Sequence, residues 1–147
     1  MDVHGLTALI QFYGHFGMME SAQRIYAEIE DEQKDLFLMN SMMNCYFINK
    51  MDSECIGIFN DIPTPNVLSF VIALKSCTQS LLYHDAQSIH SKLREDSNRG
   101  ILMDLAVQIE LVNMYGKAGR MDVVEQIMSD LKTANGAMFD LQKTCLV

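Results

Sequence analysis

The chain has 147 residues, the size of one ordinary domain, and about half of them are apolar, enough to bury a core. Its formal net charge of −8 excludes nucleic-acid binding by bulk charge, so a polyanionic partner would need a local surface from which acids are absent. Four cysteines, none in CxxC spacing, and four histidines form no zinc pattern, which leaves buried free thiols and a reducing compartment as the expectation.

The order of elements is legible from an internal repeat. Tyr13, Tyr46, Cys77 and Tyr115 serve as anchors, spaced 33, 31 and 38 residues apart. A first helix is expected over 4–17, closed by Gly17, which tolerates a left-handed cap. The second helix carries Ala22, Ile25, Tyr26 and Ile29, an i, i+3, i+4, i+7 stripe. The acidic run Glu28 to Glu32 reads as its solvated end. The pattern repeats with a helix over 37–49, then Cys55, Ile58, Phe59 and Ile62, then the loop Pro63-Thr64-Pro65-Asn66. It repeats again over 68–80 with Ala86, Ile89, His90 and Leu93, and over 106–118 with Val124, Ile127, Met128 and Leu131.

Isoleucine stands twelve residues after the anchor all four times, and the preceding helices carry apolar residues three and four before it. Lys50 and Leu81 replace glycine in the middle turns, where Asn49 could cap. The expected organisation is a helical array over 3–135, with repeats at 3–35, 36–66, 67–104 and 105–135. A tail over 136–147 could begin one more helix. Each hairpin buries its faces only against its neighbours, giving a solenoid. Its ends look bare, which points to a fragment of a longer array or to self-association through the ends.

Two families have helical hairpins of this length. The tetratricopeptide pattern wants Gly three before the anchor, where Ile10, Met43, Leu74 and Val112 stand, and a small residue sixteen after it, where Ile29, Ile62, Leu93 and Leu131 stand. The stretches TALIQFYGHFGMMESAQRIYAEI, FVIALKSC and VQIELVNMYGKAGRMDVVEQIM instead resemble the pentatricopeptide repeat family, in its plant-type array of mixed long and short repeats. The resemblance implies an all-α fold, a right-handed α-solenoid of about four helix-turn-helix repeats. It also implies binding of single-stranded RNA at about one base per repeat.

By the same resemblance, each base is read by the residue six before the anchor and the last residue before the next repeat. The implied pairs are Thr7 with Asp35, Asn40 with Asn66, Val71 with Asp104, and Ile109 with Asn135. The family's pattern assigns guanine to the first pair and a pyrimidine to the second. Val71 and Ile109 could only wedge against a base. Gln11, Asn44, Lys75, Asn113 and Lys117 share the same helix faces and would line the RNA groove. The four first-helix stretches hold only Glu110 among the 19 acidic residues, the local exclusion that an RNA partner requires. Basic residues there are sparse, so weak and strongly salt-sensitive binding is expected.

No catalytic constellation, cofactor motif or metal set appears, and the HxE and CxxC signatures of a zinc deaminase are missing. No membrane span, secretory signal or presequence is visible. The resemblance implies a mitochondrion or plastid, where such proteins act in RNA processing, modification or editing; otherwise the chain would be cytoplasmic. The competing expectation is a tetratricopeptide-like protein-interaction scaffold of the same shape without RNA binding.

Overall fold

A computed structural model describes residues 2–134, so the tail and Asn135 lie outside the described residues. The fold is an all-α solenoid of helical hairpins. The first helices are α1 (Val3–His15), α3 (Leu36–Ile48), α5 (Val67–Ser80) and α8 (Leu105–Lys117). Their partners are α2 (Met19–Glu28), α4 (Asp52–Asp61), α6 (Tyr83–Leu93) and α9 (Met121–Ala134). Between α6 and α8 lies a single helical turn, α7 (Arg99–Leu102), preceded by a 3-10 turn at Asp96–Asn98. The long third spacing of the anchors is therefore taken up by structured backbone where a loop was expected. The Asn98 amide ties it to the Lys92 carbonyl at 2.9 Å.

Each first helix starts where its sequence offers an Asx cap. The side chains of Asp2, Asp35, Asn66 and Asp104 accept from the backbone N–H groups of Gly5, Leu38, Ser69 and Ala106 at 2.8–3.0 Å. Each first helix also ends alike. The residue five after the anchor donates its N–H to the anchor carbonyl: Met18 to Tyr13, Met51 to Tyr46 and Leu82 to Cys77, each at 2.8 Å, and Arg120 to Tyr115 at 2.9 Å. This is the Schellman closure, and it places the residue four after the anchor in the left-handed region. Gly17 (φ 77°) and Gly119 (φ 75°) enter it freely. Lys50 (φ 60°) and Leu81 (φ 53°) are held there against their intrinsic preference. Asn49 supports its turn by donating to the carbonyls of Cys45 and Gly14, each at 2.8 Å.

The first helices form one continuous layer, α1 on α3, α3 on α5 and α5 on α8, and each second helix packs on its own first helix and on the next. The anchor side chains join neighbouring hairpins. The Tyr46 hydroxyl accepts from Gln23 on α2 at 3.1 Å, and that of Tyr115 lies 2.9 Å from His90 Nδ1 on α6. Between α4 and α5, Phe59 and Phe70 make the equivalent link edge to face, 5.1 Å between centroids. The small residues nine after the anchors, Ala22, Cys55 and Ala86, are fully buried under these contacts. Cys45, Cys55 and Cys77 are buried free thiols, and burial pushes Cys55 and Cys77 up to about 12, which leaves them unreactive.

The tightest approach in the layer is α1 on α3. A Cβ on Gly14 would lie 2.3 Å from Cys45 Sγ and 2.7 Å from its Cβ. Gly14→Ala is therefore expected to destabilise the chain by roughly 1–3 kcal/mol in urea melts. Gly57→Ala in α4, where a Cβ meets nothing within 4 Å, should instead stabilise by about 0.5–1 kcal/mol.

His90 gives a pH signature. Burial, with a smaller push from Arg94 against an opposing pull from Asp130, lowers its pKa to about 4. Between about 6.5 and 4 the unfolded chain binds a proton that the folded chain refuses, so stability is full above that window and falls as pH drops through it. Melts at pH 7 and 4.5 should show a loss on the order of 2 kcal/mol larger in the wild type than in His90→Phe.

Candidate nucleic-acid interface

The exposed side of the first-helix layer carries the side chains two before and two after each anchor. Gln11 and His15, Asn44 and Ile48, Lys75 and Gln79, and Asn113 and Lys117 are all exposed. A groove of about 410 Å³ runs across α1, α3 and α5, lined among others by Gln11, His15, Asn40 and Asn44. Its apolar shoulders are Phe37 and Leu68, which are 58% and 52% exposed. Sequence reasoning passed over these two residues. Their signal was a large apolar side chain two residues after an Asx cap, a place from which the core stripe does not draw.

The eight expected base readers are placed unequally. Thr7 is buried, and its hydroxyl donates to the Val3 carbonyl at 2.7 Å. Asp35 is exposed and occupied as the cap of α3, and among the described residues no hydrogen bond joins it to Thr7. Asn40 and Asn66 do meet, Asn40 Nδ2 donating to Asn66 Oδ1 at 3.1 Å. Val71 is half-buried, and Asp104 caps α8. Ile109 is about half exposed with no polar atom to offer, and its expected partner Asn135 lies outside the described residues.

The groove residues also divide. Gln11 donates to Ser41 Oγ at 3.0 Å, which orients it along the groove wall. The Gln79 amide is spent on the buried Asp52 carboxylate at 2.9 and 3.0 Å and on the Phe47 carbonyl, so it is a structural clasp between α5 and the preceding hairpin. Ser80 donates to the same carboxylate. Glu110, the one acid in the four first helices, is half-buried, and its pKa is raised by burial while Lys75 nearby lowers it. Glu110 thus draws on part of the field of Lys75. Lys117, at the last turn of α8, is exposed.

Among the described residues no cluster of three His, Cys, Asp or Glu side chains is placed to hold a metal ion, and no helix is long and apolar enough to cross a membrane. The surface can therefore offer amides, two cations and flat apolar groups, which is chemistry for recognition.

Comparison with known proteins agrees with this architecture. The family model of the PPR repeat matches residues 6–33 and 37–64, the first two hairpins. The chain is similar to the chloroplastic pentatricopeptide repeat-containing protein CRR2 of Arabidopsis thaliana, 24% identical over 135 residues that make up 89% of this chain and 20% of the relative. A mitochondrial pentatricopeptide repeat-containing protein of the same plant is 29% identical over 90% of this chain and 23% of its own length. The chain thus spans about a fifth of the length of these relatives. The first two hairpins thus match the pentatricopeptide repeat, and along nearly all of its length the chain is similar to proteins named for the same repeat.

Proposed function

We propose that this chain binds single-stranded RNA through the first-helix layer, in organellar RNA processing, modification or editing. It acts as a binding array and not as an enzyme. The observation that carries the reading is the groove across α1, α3 and α5, where Asn40, bonded to Asn66, lines the same groove as the exposed apolar shoulders Phe37 and Leu68 on helices free of acids. A base has a polar edge and two apolar faces. In this geometry its edge meets the amides while its faces stack on the shoulders, an arrangement that favours unstacked single strands. The Thr7 site stays with guanine and the Asn40 site with a pyrimidine, as the family's pattern implies. Val71 and Ile109 contribute apolar contact only. The relatives' chloroplastic and mitochondrial names support an organellar setting.

A second reading is a protein-binding scaffold, and one feature favours it. Phe12 and Phe16 stack at 4.8 Å between centroids on the face of α1 away from α3, and are 54% and 64% exposed. In later hairpins the register position of Phe12, held by Cys45 and Ser76, is buried against the preceding hairpin.

Fluorescence-anisotropy titrations separate the two readings. Oligomers with guanine followed by a pyrimidine should bind more tightly than guanine followed by a purine, and Asn40→Asp, which removes the donor facing Asn66, should cut that preference by about fivefold. Absence of binding at low salt would transfer the assignment to the scaffold. The cations are read separately: Lys75→Gln and Lys117→Gln should each lower the slope of log affinity against log salt by about 0.7 without changing base preference.

A further inference from the structure

The geometry points to Ser69 as a positioning residue that sets which atoms the Asn40–Asn66 pair turns toward RNA. The inference rests on reading Asn40 and Asn66 as a base-reading pair. Ser69 is fully buried at the third position of α5 and does not line the groove across α1, α3 and α5. Its backbone N–H donates to Asn66 Oδ1 at 3.0 Å. A backbone N–H can only donate, so the Asn66 amide must point its oxygen inward and its Nδ2 outward. Its hydroxyl accepts from the Asn66 N–H at 3.2 Å and lies 2.7 Å from Asn40 Oδ1 and 2.9 Å from Asn66 Oδ1. One hydroxyl proton serves one acceptor best, and the shorter contact assigns it to Asn40.

The Asn40 amide is thereby fixed as well. Its oxygen takes the Ser69 proton, and one of its N–H groups supplies the bond to Asn66. Both side-chain oxygens are turned into the protein. What the pair has left for a ligand is chiefly N–H: the second proton of Asn40 Nδ2 and the Nδ2 protons of Asn66. Without the Ser69 hydroxyl nothing distinguishes the two ends of the Asn40 amide beyond the single bond to Asn66. The amide, held by that one bond alone, then turns more readily, and the pair can offer either a donor or an acceptor to the same base.

The test uses the full chain with Ser69→Ala and Ser69→Thr, each checked for a cooperative melt. The wild type should prefer an oligomer with guanine followed by a pyrimidine over guanine followed by a purine by about tenfold, and Ser69→Ala should bring the two within about twofold. Affinity for the disfavoured oligomer should rise toward that for the favoured one, the salt slope should stay at its wild-type value, and Ser69→Thr should restore the preference. In the RNA-free chain, the Asn40 side-chain amide signal in a nitrogen-15 correlation spectrum should shift and exchange faster with water in Ser69→Ala only. A folded Ser69→Ala that keeps the wild-type preference overturns the inference and leaves RNA binding standing. Equal weakening toward both oligomers also overturns it, since that is what a purely structural serine would do. A wild type that binds neither oligomer overturns the RNA reading itself, and the role of Ser69 falls with it.

Discussion

Every hairpin in this chain closes on the same backbone bond, from the N–H five residues after the anchor to the anchor's own carbonyl. That bond depends on one residue in the left-handed region, which even lysine and leucine enter at positions 50 and 81. A non-glycine residue held there costs on the order of 1 kcal/mol. The cost is tolerated because the closure sets the reversal of chain direction between the two helices. The anchor side chains of Tyr46 and Tyr115 are thereby delivered to the same place, against the second helix of the preceding hairpin. The hydroxyls of Tyr46 and Tyr115 then find Gln23 and His90 as partners. Local turn chemistry and the stacking of neighbours are two consequences of one residue's position.

Stacking in that register decides what remains on the surface. The side chains three and four before the anchor go into the core, while those two before and two after it go outward. Buried and exposed rows alternate along a helix with no freedom to exchange them, because a change of register would bury Lys75 or Lys117. The first helices contribute the outward rows from a layer almost empty of acid, although the chain as a whole is acidic. Charge is thus segregated by helix, and net charge says little about the local field that a ligand meets.

Much of this was legible in the sequence, for a physical reason. Repetition multiplies a weak signal. A single isoleucine twelve after a tyrosine says nothing, but four in register identify the stripe, and the two glycine turns follow. The sites that stayed hidden are those where one residue serves a purpose that its type does not advertise. Lys50 and Leu81 lack any propensity for their turns, which the hairpin imposes. Residues 99–102 lack the apolar period of a helix because one turn is too short to show it. Gln79 is exposed two residues after its anchor, on the same helix face as the groove residue Lys75, yet its amide is consumed by Asp52. Thr7 is expected as a base contact, and its hydroxyl, donating to the Val3 carbonyl of its own helix, keeps only its acceptor side for a ligand. Phe37 and Leu68 were passed over because an isolated exposed apolar residue is ordinary; only the groove between them makes them a pair.

On the proposed reading, the Asn40–Ser69–Asn66 cluster turns a cost into selectivity. Asn40 and Ser69 are almost wholly excluded from water, and burying an amide and a hydroxyl beside the core is unfavourable unless each atom finds a partner. Here the partners are supplied by an element needed anyway, the capping box that starts α5. The cap gives Asn66 a fixed oxygen, the oxygen fixes a proton of Asn40, and the leftover hydroxyl proton fixes the Asn40 oxygen. An amide on an exposed helix face would rotate freely and recognise donors and acceptors alike. Tied into the cap, it has one orientation before any ligand arrives, so no ordering entropy is lost on binding and a mismatched edge meets an unpaired buried group. The third hairpin thus acts on the site of the second. On the proposed reading, a base reader in such an array takes its position from its own repeat and the atoms it can offer from the next repeat's helix start.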